Sequence, residues 1–169
     1  MAIITNKGNA EERTVGTLQK LTLTIADIQG MTSGTAATSW TNTGTGSPYG
    51  SAPSTVSLPY SAGDQLMEAF GQVETQLTGG SNTAVGLAVG YKGTSNTSAN
   101  AFVTSTEVLS SSYVKYFCGA GSSNGAGYAA LESGNISVTL TATGDTLANL
   151  TAGQISIYIY QKFATDVYA

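Results

Sequence analysis

Few residues in this chain could do chemistry, and their spacing works against most uses of them. There is no histidine, which removes the Ser-His and Cys-His nucleophile systems and the commonest zinc ligands together. Gly121-Ser122-Ser123-Asn124-Gly125 fits the G-x-S-x-G pattern of a nucleophile elbow. That motif needs a strand before it, a helix after it and a histidine elsewhere. Gly127 and Gly134 bracket the short stretch that follows and the histidine is missing, so the match reads as a Gly/Ser-rich loop. Gly119-Ala120-Gly121 and Gly44-Thr45-Gly46 complete neither the dinucleotide nor the phosphate-loop pattern, and read as turns. Glu68 and Glu74 come nearest to a carboxylate pair. Six residues along one strand span about 20 Å at about 3.3 Å each, well beyond the roughly 5 to 9.5 Å of glycosidase pairs. They read as solvated polar positions. Asp27, Asp64 and Asp145 stand near strand ends, where Asp caps turns, and no spacing among them makes a calcium loop. The expectation is a protein that is not an enzyme, with no catalytic residue, no cofactor and no metal.

Cys118 is the single cysteine, so no internal disulfide can form. On a strand face shared with Val114 and Tyr116 it reads as a small buried hydrophobe. The N-x-S/T triplets at Asn96, Asn135 and Asn149 are expected by chance in a chain so rich in these residues. The aromatic side chains are more informative. Tyr158 and Tyr160 alternate with Ile155, Ile157 and Ile159, so tyrosines look outward if isoleucines form the core. Exposed Tyr and Trp favour protein interfaces, although they also stack on sugars. Trp40 and Tyr49 give a long polar segment something to bind or pack with.

Charged residues are only 9% of the 169 residues while hydrophobic residues are 41%, against roughly 25% charged in ordinary soluble domains. Clean alternating apolar runs argue against disorder, which needs low hydrophobicity or high net charge. A weakly charged surface with many strands invites aggregation unless its edges are paired or covered, so permanent self-association is expected. Net charge is −4 with six Lys and Arg dispersed along the chain. No basic patch exists to neutralise phosphates, so no nucleic-acid partner is expected. No apolar run approaches the roughly 20 residues of a membrane helix, and the opening residues lack a signal-peptide pattern. Synthesis in a cytoplasm without export, and no membrane partner, are the expectations.

The elements that position these residues are strands. From Gln72 to Tyr91 one strand closes at Leu77, turns on Gly79-Gly80-Ser81-Asn82, and a second opens with Val85, Leu87, Val89 and Tyr91 on one face. Ala84, Gly86, Ala88 and Gly90 make the opposite face nearly bare, a period-two pattern that lets a neighbouring sheet or chain approach closely. Further strands are read at Leu18–Ile25, Thr55–Tyr60, around Ala101–Val108, Tyr113–Cys118, Ile136–Leu140 and Ile155–Tyr160. Gln65–Leu77 fits either period, and is taken as strand from about Phe70 with a helical turn before it left open. The architecture predicted is all-β, an antiparallel jelly-roll-like sandwich of about eight strands. Residues 1–17 form an extended N-terminal arm, 18–163 the sandwich with a long loop at 29–54, and 164–169 a tail. The core is predicted to contain Leu21, Leu23, Val56, Leu58, Val73, Val85, Leu87, Val89, Val138, Leu140, Ile155, Ile157 and Ile159.

With the strands laid out, Leu58 to Phe163 resembles small jelly-roll structural proteins of tailed bacteriophage virions, often head decoration or cement proteins. The resemblance rests on Val73-Glu74-Thr75-Gln76-Leu77, then Thr78-Gly79-Gly80, then Val85-Gly86-Leu87-Ala88-Val89-Gly90. It continues in Ile136-Ser137-Val138-Thr139-Leu140-Thr141, Thr151-Ala152-Gly153 and Ile155–Tyr160. It covers about two-thirds of the chain and leaves out the arm and the 29–54 segment. It implies a non-enzymatic part of the virion, located on the capsid surface, that binds the outside of the assembled head. Its partners would be the major capsid protein and itself, as a homodimer or homotrimer. The alternative is a carbohydrate- or receptor-binding jelly-roll module of a tail fibre. Candidate interface residues are Lys7, Glu11, Glu12 and Arg13 of the arm, with Trp40, Tyr49, Tyr158 and Tyr160.

Overall fold

The computed structural model describes residues 17–42, 54–109, 116–118 and 128–162. In chain order the elements are β1 (Thr17–Leu23), α1 (Ile25–Gly30), β2 (Trp40–Asn42), β3 (Ser54–Val56), β4 (Pro59–Tyr60) and β5 (Gln65–Thr78). There follow β6 (Ala84–Gly93), β7 (Thr97–Glu107), β8 (Tyr116–Cys118), β9 (Tyr128–Ala129), β10 (Gly134–Thr143), a 3₁₀ turn at Leu147–Asn149, and β11 (Ala152–Lys162). Every pairing between them is antiparallel.

The long strands divide into two sheets. One has the order β1-β11-β5-β8, with β9 also on β5; the other has the order β4-β10-β6-β7. Taking β8 and β9 as one interrupted strand and setting the β2–β3 ribbon aside, eight strands run 1-8-3-6 in one sheet and 2-7-4-5 in the other. That is the jelly roll of two Greek keys, in which the chain passes from sheet to sheet between successive strands except at its middle, where β6 and β7 pair as neighbours. The predicted all-β sandwich is therefore the fold observed.

Alternation sets which face is buried. Ile155, Ile157 and Ile159 of β11 meet Val85, Leu87, Val89, Ile136, Val138 and Leu140 of the other sheet in one apolar cluster. Every predicted core residue is buried except Val56, whose side chain lies outside the described set. Each fully buried Ile or Leu contributes roughly 1.5–3 kcal/mol relative to exposure, so the alternating faces supply the main driving force. Leu147 of the 3₁₀ turn, Leu150 just after it and Ile28 of α1 belong to the same buried cluster.

Three sequence expectations need correction. Ile25 opens α1 instead of closing a strand. Thr24 accepts from the Asp27 amide at 3.4 Å, and Asp27 accepts from the Thr24 amide at 2.8 Å, a capping box that starts a helix one residue after β1 ends. The 29–54 segment is not a plain loop: it carries the end of α1, an isolated bridge from Ala37 to Val138, and β2 paired with β3. Residues 43–53 lie outside the described set. Finally, β5 is extended from Gln65, with no helical turn before Phe70. Its helix-like spacing comes from irregularities in the ladder with β11, where Tyr160 faces Glu68 but Gln161 faces Leu66. The extra residue returns Leu66 to the core face that Ala69 and Val73 share.

The Gly-Gly turn forms as expected between β5 and β6. Gly79 and Gly80 have φ of 105° and 63°, values that favour glycine. A Cβ on Gly79 would also lie 2.5 Å from the amide nitrogen of Thr151.

The bare face of β6 is used inside the chain. Between Val89↔Val103 and Tyr91↔Ser98 the β7 strand carries extra residues. Its backbone passes so close over Gly90 that a Cβ there would overlap the carbonyl oxygen of Ser98 and come within 2.6 Å of the Ala99 carbonyl carbon. The close approach expected of a neighbouring sheet or chain is thus made, at Gly90, by the adjoining strand.

Candidate interaction surface

The carboxylates that could have done chemistry are largely built into connections. Asp64 is buried and accepts from the Ser61 amide at 2.8 Å and the Gln161 side chain at 3.0 Å. Asp145 accepts from the amides of Ser81 and Thr146 at 2.9 and 2.8 Å and from Asn149 at 2.7 Å, tying the β5–β6 turn to the β10–β11 connection. Glu107 accepts from Val85 and Leu109, and Glu132 from Ser95 and Asn96. Glu132 and Asp145 are both held below the ordinary carboxylate range, chiefly by these backbone donors. Asp27, Asp64 and Asp145 hold turns and caps, as their positions suggest. Among the described residues no group of three or more His, Cys, Asp or Glu could hold a metal ion.

The outer face of the β1-β11-β5 sheet is different in kind. Register aligns Leu18 of β1 with Tyr160 of β11 and Glu68 of β5 as one rung across the sheet. Lys20, Tyr158 and Phe70 form the next, and Thr22, Ser156 and Gln72 the third. The middle rung is a stack. The Phe70 and Tyr158 rings lie 5.3 Å apart at 12°, and the Lys20 ammonium sits 5.5 Å from the Tyr158 ring centroid. Stacked rings contribute about 0.5–1.5 kcal/mol beyond area and an exposed cation–π contact about 0.5–1 kcal/mol.

Glu74 anchors the stack from the side. It accepts from Ser156 Oγ at 2.5 Å and Lys20 Nζ at 3.2 Å, and from the Gln154 side chain. The Ser156 hydroxyl above all, then the Lys20 ammonium and the Gln154 amide, hold its carboxyl below the usual range against partial burial, which pushes it up. Burial alone would lower the Lys20 pKa, but Glu74 and Tyr158 outweigh it and raise it. The expectation of Glu74 as a merely solvated position is therefore corrected: it is the acceptor of a cross-strand network. Glu68, by contrast, is exposed.

This arrangement bears on what the tyrosines can do. Tyr158 has Phe70 on one face and Lys20 approaching its ring, so neither side is left as an open platform of the kind a sugar ring stacks on. What the sheet presents outward is a packed strip of ring edges and aliphatic stem, with Leu18 at 49% exposure at its margin and Tyr160 beside it. Such a surface suits contact with another protein surface.

Of the predicted interface residues, Tyr158 and Tyr160 lie together on this face, both half-buried. Trp40 opens β2, paired with Val56, and its side chain is outside the described set. Lys7, Glu11, Glu12, Arg13 and Tyr49 lie outside the described residues, as do the 164–169 tail and the arm up to Thr17, the first residue of β1. The side chain of Cys118 is likewise not described, though its backbone pairs with Phe70. Sequence reading missed Leu18, Lys20, Phe70 and Glu74 as parts of one surface. Their meeting depends on the β1–β11–β5 register, which joins three strands far apart in the sequence.

Strand order and surface together define an all-β jelly roll with a packed aromatic face on one sheet. No family model matches the chain, and no curated protein matches it. Among solved structures, a chain in the acidic stable capsid structure of Helicobacter pylori bacteriophage KHP30 aligns with a TM-score of 0.43 and 13% identity, covering 87% of this chain and 88% of that one. A likeness that distant carries no weight for function, and the fold assignment stands on the strand order alone.

Proposed function

We propose that the chain is a structural protein of a bacteriophage virion, a head decoration (cement) protein that binds the outside of the assembled head and bridges neighbouring major capsid subunits. It acts as a homo-oligomer and not as an enzyme. The motifs behind the resemblance fall on β5, the Gly-Gly turn and β6, and on the β10 and β11 strands, and the observation that carries the reading is the outer face of the β1-β11-β5 sheet. That face holds an aromatic strip in a chain with very little surface charge, while carboxylate after carboxylate serves the fold's own turns.

The mechanism is thermodynamic linkage. A protein that binds only the assembled, expanded shell stabilises that state, by about 2.7 kcal/mol per site when its free concentration is 100 times Kd. The test is co-sedimentation of the purified protein with empty expanded heads, together with the thermal disruption temperature of those heads. Binding with a raised disruption temperature is expected. Protein left in the supernatant, with an unchanged disruption temperature, overturns the reading. A specific hit on a glycan array in the same preparation would move the protein to the tail-fibre alternative.

A further inference from the structure

A β-sandwich has four open edges, and three of them are guarded here. Along β10, the side away from β6 is occupied in turn by β4, Leu58, Ala37, Gly34 and Ser33. Leu58 accepts from Ile136, Ala37 exchanges two bonds with Val138 at 2.9 Å each, Gly34 donates to Leu140 at 2.8 Å and Ser33 accepts from Ala142 at 2.9 Å. On the β5 side of the other sheet the edge is formed by the very short β8 and β9. The β7 edge is broken by two register shifts. Capping, shortness and bulging are the means by which sheets prevent edge pairing.

The β1 edge has none of these. Its seven residues run in unbroken register with β11 and contain neither Gly nor Pro. Among the described residues β1 pairs on that one side only. Its single charge does not guard it either, because Lys20 is drawn across the sheet to Tyr158 and Glu74. Leu18, one of two large exposed hydrophobics among the described residues, stands on this strand.

We infer that the free edge of β1, with Leu18 beside it, receives the N-terminal segment of a second copy of this chain by strand addition. The occupant is Ala2-Ile3-Ile4-Thr5, where β-branched residues cluster within positions 1–16; such residues fit an added strand. One feature weighs against the chain's own edge, and the reach of the intervening residues permits a second copy. A tight hairpin needs a loop of about 2–5 residues, and the residues it would lay on β1 are Gly8 to Thr14, rich in Gly, Asn, Ala and Glu, which strands disfavour. Positions 6–16 separate Thr5 from β1, and extended they reach about 36 Å, against roughly 23 Å for the length of β1 itself. The inference rests on the homo-oligomer in the proposed function but not on any shell, so it is tested without one.

In a Cys118→Ser background, one preparation carries Thr5→Cys and another Leu18→Cys, and the two are mixed with a short bis-maleimide linker. A covalent species of twice the chain mass, appearing only in the mixture, is expected. Sedimentation of Leu18→Lys, a change at an exposed position, should show loss of the oligomer with the circular dichroism spectrum of the folded sandwich kept, and removal of residues 1–5 should do the same. Cross-linking confined to a single chain carrying both cysteines would show the segment closing its own edge and would overturn the inference. So would a parent protein that is monomeric at micromolar concentration, or a Leu18→Lys oligomer of unchanged size. Head binding that survives all these results would leave the decoration reading standing; oligomers that form as expected but do not bind heads would remove that reading alone.

Discussion

The passage of β7 over Gly90 can be tested by one methyl group placed at two positions on the same strand face. Gly90 has no positive φ, so alanine there meets no torsional objection; the obstacle is space. Its Cβ would lie 2.6 Å from the Ala99 carbonyl carbon and 2.8 Å from that of Ser98. Both are backbone atoms of the stretch that fastens β7 to β6, and no rotamer change can relieve them. Overpacking of this kind costs about 1–3 kcal/mol, and each ladder hydrogen bond lost as β7 backs away adds about 0.5–1.5 kcal/mol. The reduced entropy of the unfolded chain returns only about 0.4–1 kcal/mol. A net loss of about 0.5–4 kcal/mol lowers the melting temperature by roughly 1–16 °C at about 2–4 °C per kcal/mol for a chain of this size. Gly86→Ala is the control. Its Cβ would meet the Oγ of exposed Ser105 at 2.5 Å, which can turn away, and the Ser105 Cβ and Thr141 carbonyl oxygen at the ordinary contact distances of 3.8 and 3.9 Å. The expected result for Gly86→Ala is a change within about 0.5 kcal/mol of zero. Thermal unfolding followed by circular dichroism reads both. Equal melting temperatures for the two variants would refute the steric account and return the bare face to an intermolecular role.

Ile157→Ala, at a fully buried position of β11, should cost about 2–5 kcal/mol in a denaturant titration, and a loss under 1 kcal/mol would mean the two sheets do not close on this residue as described. Because Glu74 titrates lower folded than unfolded, its contribution to stability is present above its unfolded pKa and is lost as pH falls through the folded value; Glu74→Gln should flatten that acid limb in a pH series of melting temperatures, and an unchanged limb would show the network to be inert. Lys20 is shifted the other way, so its contribution is present below its unfolded pKa and lost as pH rises through the folded one; Lys20→Met should remove that alkaline fall and leave the acid fall of other groups in place. Tyr158→Ala should disrupt the stack with a modest loss of stability, about 1–3 kcal/mol for the ring pair and its burial, while head binding falls by a larger factor than that of Ile157→Ala in the folded state.

The strand faces could be read from sequence because period-two alternation reports burial directly, and it did so at Val85-Leu87-Val89, Ile136-Val138-Leu140 and Ile155-Ile157-Ile159. Where reading failed, a local signal was overridden by pairing. The Gln65–Leu77 run fitted either period because the ladder irregularities shift its apolar residues out of strict alternation, and such an irregularity is a property of two strands, visible in neither alone. Ile25 looked like the end of a strand because it continues the phase of Leu21 and Leu23. The cap formed by Thr24 and Asp27 outweighed that phase, and Thr-x-x-Asp was there to be seen.

The surface on the β1-β11-β5 sheet is the harder case, and it shows why polar residues in this chain resist reading one at a time. Tyr158 and Tyr160 could be placed on an outer face from their alternation with isoleucine. That Lys20, rather than solvent, would meet the Tyr158 ring follows only from register. Glu74 is the clearest example. Viewed along its own strand it is one of two carboxylates too far apart for catalysis; viewed across the sheet it joins the three donors Ser156, Lys20 and Gln154. A carboxylate so occupied cannot readily accept a proton at neutral pH, since Ser156 and Lys20 both favour its charged form. The same holds for Asp145 and Glu132, held by backbone donors. In a chain with so few charges, using acids as acceptors for its own connections leaves its outer faces to apolar and hydroxyl groups. A face of that composition has most to gain from being covered by protein, and β1 is the margin at which that covering can begin.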